Sequence, residues 1–128
     1  MDMIRKMTSL QAFKAMICFL DAYYDEIQSD DLGSLLGDIQ LFEDGSGTWD
    51  SAAWNDWGIA IEKKESVFVL EGFKGVSNFL NAYYIRTSSS ARELKELSDE
   101  MMFDENERSS CFPLWNRWVG CVEKIINE

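Results

Sequence analysis

Carboxylates are the reactive groups this sequence holds in quantity, and in its first half a long run of them stands without bases. From Ala15 to Glu62 there are eleven acids (Asp21, Asp25, Glu26, Asp30, Asp31, Asp38, Glu43, Asp44, Asp50, Asp56 and Glu62) and no lysine or arginine. Paired carboxylates can serve a hydrolase. With no basic residue nearby to hold a substrate or an oxyanion, the expectation is instead a protein without catalysis of its own. There is no histidine, which removes Ser-His-Asp and Cys-His catalysis and the usual zinc or iron sites. Gly45-Ser46-Gly47 sits among acids that would repel a phosphate, so it is no phosphate cradle. Asp44-Gly45-Ser46-Gly47-Thr48-Trp49-Asp50 has the outline of a calcium loop but lacks the alternating acids and the terminal glutamate. Cys18, Cys111 and Cys121 have neither metal spacing nor an even count, and read as buried free thiols in a reducing cytoplasm. No cofactor and no metal is expected.

What surrounds these acids narrows the partner class. Net charge is −11, which argues against nucleic acid as a ligand because phosphates would be repelled. Residues 65–128 hold eleven acids and seven bases, so the excess belongs mainly to the first half. No apolar run approaches the ~20 residues that cross a bilayer, and the start, Met1-Asp2-Met3-Ile4-Arg5-Lys6-Met7, has no hydrophobic segment behind its basic pair. A cytoplasmic protein without membrane contact is expected.

The elements that must position the acids are written twice. Phe13-Lys14 and Phe19-Leu20-Asp21-Ala22-Tyr23-Tyr24 return as Phe73-Lys74 and Phe79-Leu80-Asn81-Ala82-Tyr83-Tyr84, with seven identities in the thirteen positions 12–24. Trp54-Asn55-Asp56-Trp57 returns as Trp115-Asn116-Arg117-Trp118, and Leu36-Gly37-Asp38 and Phe42-Glu43-Asp44 match Leu97-Ser98-Asp99 and Phe103-Asp104-Glu105. The offset changes from 60 to 61, which places one inserted residue in the run Ser88 to Ser90. At 128 residues the length fits one domain, here with internal repeats at about 8–64 and 67–128. Each half alone would be marginal, so the two are expected to share a core.

Thr8-Ser9-Leu10-Gln11 fits a capping box, and Phe13, Met16, Ile17, Leu20 and Tyr24 follow the spacing of an apolar helix stripe. A central helix is predicted from about Ser9 to Gln28. Ser29 or Asp30 then caps a short helix from Asp31 to about Leu41. Gly33 and Gly37 within it imply close approach by a neighbour, or a short and irregular helix. Asp44-Gly45-Ser46-Gly47 reads as a turn, and Asp50 or Ser51 caps a third helix from about Ala52 to Lys64. The second unit is predicted to repeat the order. Its fourth helix runs from Val67 to Thr87, because the repeat outweighs the strand-like Val67-Phe68-Val69. The fifth opens at a second capping-box pattern, Ser90-Ala91-Arg92-Glu93, and runs to about Phe103. A polar loop, Asp104 to Ser110, leads to the sixth, with Pro113 in its first turn. The fold class is all-α, with about six helices in two three-helix units and no strand required.

Positions held in both copies are those a shared fold needs. Phe13/Phe73, Leu20/Leu80, Tyr23/Tyr83, Tyr24/Tyr84, Trp54/Trp115 and Trp57/Trp118 are therefore predicted as core. Trp49 faces Ser110 in the second copy and is the tryptophan set aside for a contact surface. Asp38, Glu43, Asp44 and Glu62 keep their sign in both copies, which fits capping or turn roles. Asp21, Asp25, Glu26 and Asp56 instead face Asn81, Ile85, Arg86 and Arg117, so the fold does not require their charge. Eleven like charges in this stretch repel one another, and a cationic partner would relieve that repulsion.

The residues of Phe19-Leu20-Asp21-Ala22-Tyr23-Tyr24, of Ser29 through Asp38, of Asp44-Gly45 and of Ala52-Ala53-Trp54-Asn55-Asp56-Trp57 together form a pattern. It resembles small acidic bacterial immunity proteins of contact-dependent growth inhibition and related polymorphic-toxin systems. The resemblance spans roughly residues 10–62; in the second unit Gly33, Gly37 and Gly45 become Leu94, Ser98 and Asn106. It implies a cytosolic protein that neutralises one cognate toxin, often a nuclease, by occluding its active site, with no chemistry of its own. A nuclease needs a cationic cleft, and an acidic protein complementary to it gains steered association. The contact surface is accordingly expected at Asp21, Asp25, Glu26, Asp30, Asp31, Glu43, Asp44, Trp49, Asp50 and Asp56. An acidic helical adaptor or regulator docking a basic host protein is the alternative, and a DNA mimic the third reading.

Overall fold

In the computed structural model the described residues are 5–28, 30–41, 47–48, 50–86, 92–101 and 112–127. The predicted turn at 44–47 (apart from Gly47), the serine run 88–90, the first half of the second capping box (Ser90 and Ala91) and the loop 104–110 lie outside them, as does Cys111. Strand β1 (Lys6–Thr8) leads into helices α1 (Ser9–Ile27), α2 (Asp30–Asp38) and α3 (Ser51–Ala60). Strand β2 (Ser66–Phe68) then leads into α4 (Val69–Arg86), α5 (Arg92–Glu100) and α6 (Phe112–Ile126). The protein is mostly helical.

The small sheet corrects the strand-free expectation. β1 and β2 pair antiparallel, with Met7 opposite Val67 and Lys6 opposite Phe68. Both Met7 and Val67 point into the core, while Lys6, Thr8 and Phe68 stay exposed and Ser66 half-buried, the alternation of a half-buried strand. The residues assigned to the first turn of the fourth helix are thus the strand that Val67-Phe68 alone indicated. No local signal in Lys6-Met7-Thr8 announced its partner.

Helices α1, α3 and α6 start for visible reasons. Thr8 caps α1 by the predicted box: its hydroxyl accepts from the Gln11 N–H at 3.0 Å, and the Gln11 side chain accepts from the Thr8 N–H at 2.9 Å. Gln28 ends α1 in the left-handed conformation, φ 46°, its N–H returning to the Tyr24 carbonyl. Asp50 caps α3, accepting from the Ala52 N–H at 3.0 Å. α3 stops short of the predicted Lys64 because Glu62 and Lys63 are both left-handed, φ 60° and 58°, turning the chain toward β2. Pro113 stands in the first turn of α6, where its missing N–H is harmless.

One hydrophobic core draws on both halves of the chain. α6 lies chiefly against α1, and α3 against α4, so each half's third helix packs on the other half's first. Of the predicted core residues, Phe13, Phe73, Leu20, Leu80, Tyr83, Trp57 and Trp118 are buried, whereas Tyr23, Tyr24, Tyr84, Trp54 and Trp115 pack partly exposed against them. The aromatic rings meet edge to face, as their quadrupoles favour: Phe13 on Trp54 and Trp57, Phe19 on Trp118, and Phe73 on Trp115. Both buried indoles are satisfied, Trp57 Nε1–H donating to the Ser9 carbonyl at 3.2 Å and Trp118 Nε1–H to the Val69 carbonyl at 2.9 Å. Gly33 lies against the Tyr24 ring, a Cβ there reaching 3.3 Å, while Gly37 has open space and so no close neighbour to explain it.

Candidate protein-binding surface

The acids singled out in the sequence fall into groups with different electrostatics. Asp21 and Asp25 stand one turn apart on the exposed side of α1, too close for two like charges to be indifferent. Partial burial raises the Asp21 pKa above the usual carboxylate value, and the charge of Asp25 raises it further. Both line a groove of about 410 Å³ between α1 and α6, which also takes in Lys14 and Lys124. Neither forms an ion pair among the described residues, and the same is true of Asp30, exposed at the start of α2.

Glu26, Asp50 and Asp56 are already held by cations from the second half of the chain. Glu26 on α1 is ion-paired with Arg117 on α6. Arg86 at the end of α4 bonds the Asp56 carboxylate through Nε at 2.8 Å and Asp50 through its terminal nitrogen at 3.1 Å. Its guanidinium also lies over the Tyr83 ring, 5.2 Å from the centroid. Tyr83 in turn donates to Asp38 on α2 at 2.7 Å, and the Asp38 carbonyl receives the Asp50 N–H at 3.1 Å. Burial pushes the Tyr83 pKa well above the ordinary tyrosine value, and the Asp38 carboxylate adds to the rise. This network fixes where α2, α3 and α4 meet.

The absence of bases between Ala15 and Glu62 therefore does not leave all of its acids uncompensated: Arg86 and Arg117 relieve Asp50, Asp56 and Glu26, which corrects the expectation of unrelieved repulsion for these three. Arg86, Arg117, Tyr83 and Asp38 are the residues missed. A signal for two of them was present: Glu26 and Asp56 align with Arg86 and Arg117, and each arginine pairs with the acid aligned to the other. Of the remaining predicted contact residues, Glu43, Asp44 and Trp49 lie outside the described residues, as does the side chain of Asp31.

No group of three or more acids or cysteines capable of holding a metal ion occurs among the described residues. No helix among them is long and apolar enough to cross a membrane. Comparison with protein-family models, with curated proteins and with solved structures gives no match.

Proposed function

We propose that this protein binds a cationic protein, a cognate toxin of nuclease type, and neutralises it by covering the substrate cleft with its acidic surface. The observation that supports this reading is the sorting of the acids. Glu26, Asp50 and Asp56 are neutralised internally, while Asp21, Asp25 and Asp30 stay exposed and, among the described residues, unpaired, with Asp21 held above its usual pKa. Charges that the fold neither needs nor relieves gain most from a cationic partner, which supplies the missing countercharge and steers encounter. Asp31, Glu43, Asp44 and Trp49 belong to the same stretch of sequence and extend the proposed contact. The resemblance of residues 10–62 to immunity proteins points the same way.

We further infer that the chain is a tandem pair of units, about 8–64 and 67–128. The order of one strand and three helices in each half supports this, as do the indole bonds from Trp57 to Ser9 and from Trp118 to Val69, made at aligned positions. On this reading the second unit supplies Arg86 and Arg117 to clamp the first, and the first keeps the free acids for a partner.

The direct experiment is capture from the lysate of the protein's own organism at low and at moderate salt, followed by a nuclease assay on the captured partner. A large polypeptide with a basic C-terminal domain is expected, held more weakly as salt rises and inhibited when bound. The Asp21→Lys/Asp25→Lys/Asp30→Lys variant, still folded, should associate at least ~10-fold more slowly with a flatter salt dependence. Unchanged association would remove these acids from the contact.

A further inference from the structure

Two thiols that the proposed binding surface does not use face each other across the α1–α6 seam. Cys18 lies on α1 and Cys121 on α6, 103 positions apart in sequence, and their sulfurs are in hydrogen-bond contact at 2.8 Å. Neither is in a disulfide, and no third soft ligand joins them to make a metal site among the described residues. Their accessibility differs. Cys121 is 7% exposed and burial pushes its thiol pKa up to about 12, whereas Cys18 is half-buried and lines the groove shared with Asp21 and Asp25. An oxidant arriving by the groove therefore meets Cys18 first, with Cys121 already behind it.

We propose that Cys18 and Cys121 are a reversible oxidative modification site, forming an intramolecular disulfide that locks α1 onto α6. The Cys18 thiolate attacks a low-molecular-weight disulfide such as glutathione disulfide, forming a mixed disulfide and releasing one thiol. Cys121 loses its proton to solvent and attacks the Cys18 sulfur, expelling the second small thiol. The protein thereby loses two protons and two electrons, and the small disulfide is reduced to two thiols. The partner sulfur is in contact with Cys18 before oxidation. The product closes a loop of over a hundred residues, the class in which cross-linking most restricts the unfolded chain. Because both helices bordering the groove are joined, the site bearing Asp21 and Asp25 is held in one shape.

The test uses the full chain carrying Cys111→Ser, so that only the two facing thiols remain, incubated with glutathione disulfide over a range of redox ratios. The expected result is loss of both alkylatable thiols together, a monomeric cross-linked peptide joining Cys18 to Cys121, and a Tm raised by at least about 5 °C. Dithiothreitol should reverse all three. The further Cys18→Ser change should abolish the response without unfolding the protein, as read by circular dichroism. Thiols that stay alkylatable, covalent dimers in place of the internal bridge, or an oxidised form no more stable than the reduced one would each overturn the proposal.

Discussion

The Arg86 guanidinium on α4 lies 2.8 Å from the Asp56 carboxylate on α3, and Glu26 on α1 and Arg117 on α6 make the same kind of pair with the signs exchanged. Each pair joins a helix of one half to a helix of the other. Removing Arg86 by Arg86→Ala should cost about 1 kcal/mol, because these pairs are only partly shielded from solvent. Arg86→Glu should cost more, since it sets a third acid against Asp50 and Asp56. Adding Asp56→Arg to that variant should recover part of the loss. Urea denaturation of the four proteins measures this, and a double variant no better than the single would show that the pair does not couple the halves.

Burial of Tyr83, reinforced by its bond to Asp38, makes stability fall at high pH. The folded-state pKa of Tyr83 is raised, so the stability it contributes is complete below the ordinary value of 10.0 and is lost as pH climbs through the raised one. Tyr83→Phe keeps the ring that stacks on Phe79 but takes the donor from Asp38. It should cost roughly 1–2 kcal/mol at neutral pH, and that deficit should shrink under alkaline conditions. Parallel denaturant titrations at neutral and alkaline pH decide the point; a constant deficit would speak against it.

Asp21 behaves in the opposite sense to a paired acid. Its pKa is raised by partial burial and by Asp25, so its ionisation above the usual value of 3.8 weighs against the fold. Asp21→Asn should therefore stabilise the free protein at neutral pH by a few tenths of a kcal/mol, roughly the size of a repulsive helix pair. The gain should vanish at a pH low enough to protonate the group in both states. The same change should slow binding to a cationic partner, separating stability from function in one variant.

Gly72 on α4 shows where packing outranks helix propensity. A Cβ there would come within 2.8 Å of the Trp118 ring and of the Met7 methyl. Alanine favours a helix interior over glycine by about 1 kcal/mol, yet Gly72→Ala should be net destabilising by about 1–3 kcal/mol, the usual range for overpacking. Thermal unfolding reads the sign directly.

The parts of the fold that were legible are those encoded within a few residues. Thr8 with Gln11, Asp50 before Ala52 and Pro113 near Leu114 each announce a helix start through groups that meet locally. The stripe of Phe13, Met16 and Leu20 announces the buried face. The sheet was not legible because Met7 and Val67 acquire their partner only across sixty residues of chain. The end of α3 was missed because Glu62 and Lys63 adopt a left-handed backbone without a glycine to signal it. Within the candidate surface the acids were visible as residues, but which of them are free was not. Arg86 and Arg117 come from the other half of the chain, and only the helix packing brings them to Asp56 and Glu26.

Because α6 closes on α1, the first helix cannot complete its packing until the last has been made. Phe19 waits for Trp118, and Glu26 for Arg117, partners separated by most of the chain. A nascent chain halted after α5 would present α1 with an apolar face that nothing upstream can cover. Contacts this distant slow folding and lengthen exposure to aggregation. Loss of α6 would therefore remove the lid of the core over α1.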